Sequence, residues 1–178
     1  PVRENKRTGA FCATTIPDRH PYILMNFTGE RRSILTLAHE LGHGLHGVLP
    51  DPLGLFNADT PLTTAETASV FGEALTFKRL LAIEEDPRKR LNLLAGRIED
   101  SIATVFRQIA MNRFEDVMHN ERRNEGELSV ERVEELWLGT QRTMFDDSVD
   151  IDGYGIWWSY IPHFMSTPGY VYAYAYGF

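Results

Sequence analysis

The chain has 178 residues, of which 43% are hydrophobic and 24% charged, values typical of a folded globular domain rather than a disordered or repetitive chain. Its formal net charge of −7 argues against nucleic acid as a partner, because nucleic-acid binding needs a basic surface. A single cysteine excludes an internal disulfide, no apolar run reaches the roughly 20 residues of a membrane span, and residues 1–7 lack a signal-peptide pattern, so we expect a cytoplasmic domain without a membrane partner.

Two short β-prone runs come first in the chain. They cover residues 10–15 and 22–27 and are separated by the turn-rich residues 16–21. We predict two antiparallel strands joined by a loop. The second run is either an edge strand, to which an extended peptide adds by backbone pairing, or a strand of the core.

A first helix is predicted from about residue 29 to 49, with Thr28 as its N-cap. Apolar side chains recur at helical spacing and predict a face that packs against a core. The members of this stripe are Ile34, Leu37, Ala38, Leu41, Leu45 and Val48. At about 100° per residue, three histidines lie on nearly the opposite face, where they would line a cleft. They are His39, His43 and His46.

A second helix is predicted over about residues 62–85, with Thr60 or Thr63 as its N-cap and Asp86-Pro87 after its end. On this helix we expect one side to face a core, and its members are Ala68, Phe71 and Leu75.

Helical patterns continue along the chain. One covers residues 91–123, and Ser129 is predicted to cap another that ends near Phe145. Residues 156–178 carry conflicting signals: Thr167-Pro168 is typical of a helix start, whereas alternating tyrosines are typical of a strand, and we favour a helix. Because the sequence stops within an aromatic run, we expect a fragment of a longer chain.

The sequence His39-Glu-Leu-Gly-His43 matches the motif His-Glu-x-x-His. Residues at i and i+4 share one helix face, so two imidazoles can bind one zinc ion. Glu40 would then lie beside them, able to take a proton from water. The alternative is a pair of exposed histidines on a solvated helix face.

A catalytic zinc site needs a third protein ligand. A third histidine at position 49 is excluded, because that position is Leu49. Glu66 on the second helix fits the requirement, but a glutamate there could also simply complement the helix dipole. His46 lies one turn too far along for direct coordination, so we interpret it as an outer or surface residue. On the face of Glu66, Glu73 is a candidate to orient one zinc-binding histidine.

Three glycines interrupt the first helix, each costing up to about 1 kcal/mol relative to alanine. They are Gly42, Gly44 and Gly47. Close approach of another backbone would explain them, and for Gly47 a frayed helix end would serve equally well.

The sequence resembles the oligoendopeptidase F and thimet oligopeptidase family of zinc metallopeptidases. The resemblance is carried by His39-Glu-Leu-Gly-His43-Gly-Leu-His46, by Ala65-Glu-Thr-Ala-Ser-Val-Phe-Gly-Glu73, and by Ile161-Pro-His-Phe with Pro168-Gly-Tyr-Val-Tyr. It covers essentially the whole chain and is nearest the oligoendopeptidase F branch.

This resemblance implies zinc ligands His39, His43 and Glu66, with Glu40 as the catalytic base. It also implies that a histidine and tyrosines of the C-terminal segment, about residues 156–178, contact the oxyanion and the substrate. The matching residues are His163 and Tyr170 as catalytic groups and Tyr174 as a substrate contact, with Tyr170 and Tyr174 alternatives for the oxyanion.

From the resemblance we expect a mainly α fold with a small antiparallel sheet, the zincin-like core of a helical oligopeptidase whose channel admits short peptides. Residues 1–178 would form a single catalytic-domain fragment that lacks the remainder of its parent chain. The predicted function is zinc-dependent endopeptidase cleavage of short peptides, with one Zn²⁺ per chain. The rivals are a zinc-binding but inactive fragment, and a structural or interaction module.

Overall fold

The computed structural model describes residues 3–6 and 9–178. Two strands, β1 and β2, cover Ala10–Ala13 and Tyr22–Met25. The α-helices are α1 Arg31–Val48, α2 Leu62–Ile83, α3 Pro87–Ile102, α4 Gln108–Glu125, α5 Val130–Phe145, α6 His163–Ser166 and α7 Tyr172–Gly177. Within these ranges no helix is both long enough and apolar enough to cross a membrane.

The fold is mainly helical with one small antiparallel sheet, so the predicted fold class is confirmed. Strands β1 and β2 pair with Ala10 opposite Met25 and Ala13 opposite Tyr22. The predicted strands were two residues too long at their carboxyl ends.

The chain divides into two compact units. The first unit comprises the residues up to Arg97 together with Tyr176–Phe178, and the second comprises Ile98–Ala175. Each unit is described by itself below.

In the first unit, helices α1 and α2 approach closely through glycine. A Cβ atom built on Gly42 would lie 2.5 Å from the Ala68 carbonyl oxygen, and one built on Gly72 would lie 2.6 Å from the Ala38 carbonyl oxygen. Such distances are shorter than real Cβ contacts, so only glycine permits this packing. The close approach predicted for the α1 glycines is therefore present at Gly42.

The two other α1 glycines contact the hairpin region. A Cβ on Gly44 would meet the Pro21 ring at 3.2 Å, and one on Gly47 would meet the Thr14 methyl group at 2.2 Å. Helix α1 therefore packs through small residues on either side of its histidines.

The prediction that the apolar stripe of α1 faces a core is wrong for this chain. Leu41 is 54% exposed and Leu45 66% exposed, and Ile34 and Val48 are exposed as well. The buried α1 residues are instead Ser33, Glu40 and Gly44. Helical periodicity correctly identified an apolar face on α1. In the structure, however, the rest of the described chain covers the small and polar residues beside that face and leaves most of the apolar face exposed.

The expected core side of α2 is also wrong. Phe71 and Leu75 are exposed, whereas Glu66, Ser69 and Val70 are buried. The reason is the glycine contact, which brings α1 against the backbone at Ala68 and Ser69 and covers the glutamate side of α2.

The predicted N-caps of α1 and α2 are wrong too. Helix α1 begins after Glu30, because Gly29 has a φ of +86° and separates Thr28 from the helix. Thr28 instead donates its N–H to the Ser33 hydroxyl at 3.2 Å. Helix α2 has Pro61 at its N-cap, one residue after Thr60 and two before Thr63, with no side-chain cap.

The second unit has an aromatic core. Phe114 and Trp137 are fully buried, with ring centroids 5.2 Å apart and their planes nearly perpendicular. The other buried members of this core are Met111, Ile161, Phe164 and Val171. The Trp137 N–H donates to the Tyr154 carbonyl at 3.0 Å, which satisfies the polar atom of the buried indole.

Helix α5 in this unit begins as predicted. Ser129 is its N-cap, and the Ser129 hydroxyl accepts the Arg132 N–H. The long helical pattern before it is divided by a π-helical turn over Ala103–Arg107, between α3 and α4.

Tyr172, Tyr174 and Tyr176 lie on helix α7, which agrees with the helical interpretation of these tyrosines, whereas Tyr170 precedes the helix. Thr167-Pro168 does not start it, however: Thr167 ends α6, and a turn follows with Gly169 at a φ of +76°. Two more residues, Tyr170 and Val171, precede the start of the helix at Tyr172.

Candidate metal centre

Three potential ligand atoms converge in the first unit. His39 Nε2 and His43 Nε2, one turn apart on α1, are 3.2 Å from each other. Glu66 Oε2 on α2 lies 3.5 Å from the first and 3.7 Å from the second. Among the residues in the described ranges, these three form the group whose ligand atoms could hold a metal ion.

The distances fit a tetrahedral ion. Zinc binds imidazole nitrogen and carboxylate oxygen at about 2.0–2.2 Å, so the edges of its coordination tetrahedron are roughly 3.3–3.6 Å. The three observed separations of 3.2, 3.5 and 3.7 Å lie around this range. With three protein ligands, a fourth position stays available for water or substrate.

Groups outside the candidate ligand set contact the two histidine side chains. His39 Nδ1 lies 2.6 Å from Glu73 Oε1, and the His43 side chain hydrogen-bonds the backbone of Ala65. Metal-binding histidines usually donate their outer N–H to a carboxylate or carbonyl, and this fixes the tautomer. A neutral His39 that donates from Nδ1 to Glu73 presents the lone pair of Nε2 toward Glu66.

Ser69 supports the carboxylate of Glu66. The Ser69 hydroxyl lies 2.9 Å from Glu66 Oε2, one turn along α2, and both side chains are buried. Sequence analysis gave Ser69 no role. Its i+3 spacing from Glu66 was the signal that could have identified it.

Burial and charge act in opposite directions on the two histidines. Burial lowers the pKa of His39, but the Glu73 hydrogen bond and the charges of Glu66, Glu73 and Glu40 outweigh it, so the pKa of His39 is raised. For His43, burial is the largest effect and the pKa is lowered, although Glu66 opposes it. In the metal-free chain, His39 is therefore the imidazole that more readily takes a proton.

Glu40 is buried on α1 between the two histidines in sequence. Burial raises the pKa of Glu40; the positive charge of His39 lowers it, and Glu66 and Glu73 add to the increase, so the net pKa is above its ordinary value. A carboxylate whose pKa is raised toward neutrality is a better proton acceptor. These properties suit a general base.

His46 stays outside the group of three. Its Nδ1 is buried and has no hydrogen-bond partner among the described residues. The structure therefore places it one turn beyond His43 on α1 without bringing it into the ligand group.

The C-terminal candidates form their own cluster in the second unit. The His163 ring stacks on Tyr170 with centroids 5.1 Å apart and planes at 16°. Tyr174 contacts both, with centroids 6.3 Å from His163 and 5.3 Å from Tyr170. Because both tyrosines contact the same histidine, the choice between them for the oxyanion stays a prediction.

Sequence analysis missed the group that fixes the turn before Tyr170. The buried carboxylate of Glu115 on α4 accepts the Gly169 N–H at 2.8 Å. Gly169 has a positive φ, so this hydrogen bond fixes a turn that favours glycine. The sequence held no signal for this, since Glu115 is 54 residues away from Gly169.

Comparison with known proteins gives a consistent result. Residues 2–178 match the sequence profile of peptidase family M3. Oligopeptidase PepF of Bacillus subtilis is 35% identical over 185 residues, which cover 99% of this chain and 27% of that protein. The chain thus spans less than a third of this relative's length.

Two crystal structures are similar as well. One, from Chlamydophila abortus, has a TM-score of 0.73 and 30% identity, covering 97% of this chain and 29% of that one. The other is oligoendopeptidase-F from Enterococcus faecium, with a TM-score of 0.59 and 29% identity, covering 84% of this chain and 28% of that one.

Proposed function

Because the chain belongs to peptidase family M3, we propose that it is the catalytic portion of a zinc-dependent endopeptidase that hydrolyses short peptides. The proposed ligands are His39, His43 and Glu66, and the proposed base is Glu40. We propose that residues 1–178 act as one catalytic portion of a longer, cytoplasmic chain, whose remainder is their main partner.

The observation that carries this proposal is the convergence of two imidazole nitrogens and one carboxylate oxygen within 4.8 Å. A salt-bridge cluster could also bring such groups together. A salt-bridge cluster would not require that each imidazole also makes a hydrogen bond outside the cluster, as His39 does with Glu73 and His43 does with the Ala65 backbone. That second feature favours a metal site.

A zinc ion in this site would supply Lewis-acid polarisation of the scissile carbonyl and would make an attacking water more acidic. Glu40 takes the proton of the attacking water and delivers it to the leaving amine. Its burial keeps bulk water away from the carboxylate and helps to raise its pKa. Ser69 and Glu73 hold Glu66 and His39 in place.

We propose that His163 and Tyr170 donate hydrogen bonds to the developing oxyanion, and that Tyr174 contacts the substrate. The support is chemical: a neutral phenol with an ordinary pKa near 10 is a donor at neutral pH. The stacked pair of His163 and Tyr170 is half-buried, so both rings have fixed orientations while part of each stays accessible.

The first test is the zinc content of the purified chain. We expect one zinc per chain in the wild type and a large loss in Glu66→Ala, because that variant removes the anionic ligand. Glu99→Ala removes a charge from an exposed position on α3 and should keep its zinc. A folded wild-type chain that takes up no zinc after reconstitution would refute the proposal.

The second test separates catalysis from metal binding. Glu40→Gln conserves size and should retain zinc, but hydrolysis of a short internally quenched peptide should fall by at least about 100-fold, the typical contribution of a general base. The assay belongs in the parent-length protein, with Glu99→Gln as the control. Zinc binding without any hydrolysis in the wild type would favour the inactive or structural alternative.

A further inference from the structure

The carboxylate of Glu73 lies between a candidate zinc ligand and a cation. Its Oε1 is 2.6 Å from His39 Nδ1, and its Oε2 is 3.6 Å from a guanidinium nitrogen of Arg97 on α3. The side chains of Glu73 and Arg97 are only 25% and 21% exposed. This is therefore a partly shielded pair, less subject to screening by salt than two fully exposed charges.

Two aromatic rings hold Arg97. Its guanidinium carbon lies 5.0 Å from the centroid of Phe178 and 5.9 Å from that of Phe77. Both distances are within the range of cation–π attraction. The guanidinium thus has a defined position, which a solvated surface arginine lacks.

The position of Phe178 is itself fixed beside the candidate site. A Cβ atom on Gly177 would lie 2.7 Å from the Thr67 nitrogen and 2.8 Å from the Glu66 carbonyl carbon. The residue before Phe178 is therefore packed against the α2 backbone at Glu66. One contiguous set of contacts then runs from this segment through Arg97 and Glu73 to His39.

We propose that Arg97 is a positioning residue of the metal site, which acts through Glu73 to hold the His39 imidazole with Nε2 toward His43 and Glu66. A carboxylate bound at one oxygen only can rotate about its terminal bond. Arg97 forms an ion pair with the second oxygen at 3.6 Å, which favours the carboxylate orientation that keeps Oε1 on Nδ1. The inference rests on the proposed zinc site and adds a residue to it.

A purely structural role is the competing explanation. Exposed ion pairs typically contribute little to stability, and a pair of that kind would leave zinc affinity unchanged. The zinc dissociation constant and the exchange of the His39 Nδ1 proton therefore discriminate between the two roles better than the free energy of unfolding does.

The test is the zinc dissociation constant, measured by competition with a chromophoric chelator. We expect about 10-fold weaker binding for Arg97→Gln, the lower end of the effect of outer-shell partners, with partial recovery in Arg97→Lys. Arg88→Gln removes the same charge from an exposed position on α3 and should bind zinc as the wild type does.

A double-mutant cycle tests the route. If Arg97 acts through Glu73, then Arg97→Gln should have no further effect in a Glu73→Gln background. Fully additive losses would overturn the proposal, as would an Arg97→Gln variant with wild-type affinity.

A readout without metal keeps this inference separate from the proposed function. In the metal-free chain, nitrogen NMR of His39 should show a proton on Nδ1 that exchanges faster with water in Arg97→Gln but not in Arg88→Gln. Unchanged exchange would refute the positioning role even in a chain that binds no zinc. A wild-type chain that shows this protection but binds no zinc would refute the metal site alone.

Discussion

The two compact units bury different kinds of side chain. The described buried residues of the first unit are mostly polar or small, with Glu40 and Glu66 among them and Val70 as the apolar exception. Those of the second unit are mostly apolar and centre on Phe114 and Trp137. The interior of the unit with the candidate metal centre thus contains carboxylates, whereas the interior of the other unit is formed mainly by apolar side chains.

This difference bears on function. Buried carboxylates and imidazoles are costly unless they are paired, hydrogen-bonded or bound to a metal. Among the described residues of the first unit, no large apolar cluster offsets this cost, and several leucines of α1 and α2 are exposed. The proposed metal ion would then contribute directly to the folding free energy of this unit.

The largest effect is expected in the aromatic core. Phe114→Ala should lower the free energy of unfolding by about 3–5 kcal/mol, because it empties a fully buried site. All three tryptophans lie in this unit, so their fluorescence during urea unfolding reports on it. Phe106→Ala, at a 59% exposed position in the same unit, should change the value by no more than about 0.5 kcal/mol. Equal losses in the two variants would contradict the assignment of the core.

A somewhat smaller effect should follow zinc addition. A ligand at about 100 times its dissociation constant stabilises the folded state by about 2.7 kcal/mol. We expect hydrogen–deuterium exchange to slow chiefly in α1 and α2, which carry the three proposed ligands. The Glu66→Ala variant should show no such slowing. If zinc protects α4 and α5 as much as α1 and α2, the proposed difference between the units is wrong.

Much of the candidate site could be predicted from the sequence, because its geometry is local. His39 and His43 share a helix face through their i and i+4 spacing alone. Glu66 was a candidate from its place on the second helix, and the family resemblance then implied it as the third ligand. The structure brings its carboxylate to both imidazoles. The hairpin and the Ser129 cap were also predictable, since turn residues and capping hydroxyls act within a few positions of themselves.

Features that depend on distant residues could not be predicted. The apolar stripe with Leu41 and Leu45 has clear helical periodicity, but periodicity does not say which face finds a packing partner. The contact of Gly42 with α2 instead depends on the separation of two backbones. Arg97 and Glu115 carry no motif; each acts through a residue far away in sequence, Glu73 or Gly169.

The smallest effects are expected from replacing glycine by alanine, where the sign of the change in the free energy of unfolding is informative. In Gly42→Ala the new methyl group would lie 2.5 Å from the Ala68 carbonyl oxygen and 2.7 Å from the Ser69 Cα. These are backbone atoms that cannot rotate away, so the two helices must separate. We expect a loss of about 1–3 kcal/mol, as for other overpacked sites, even though alanine is the better helix former. Zinc affinity should fall as well, because Glu66 moves away from His43.

Gly96 provides the matched control in the same unit. It lies within α3 and a Cβ atom there would meet nothing within 4 Å. Gly96→Ala should therefore stabilise the chain by about 0.5–1 kcal/mol through helix propensity alone. Urea unfolding followed by circular dichroism measures both variants. If Gly42→Ala lowers the free energy of unfolding and Gly96→Ala raises it, then α1 and α2 are in close contact at Gly42. If both substitutions raise it, α1 and α2 are far enough apart at Gly42 to accommodate a methyl group. In that case the hydrogen bonds between Glu73 and His39 and between Ser69 and Glu66, rather than helix packing at Gly42, would have to position the candidate ligands.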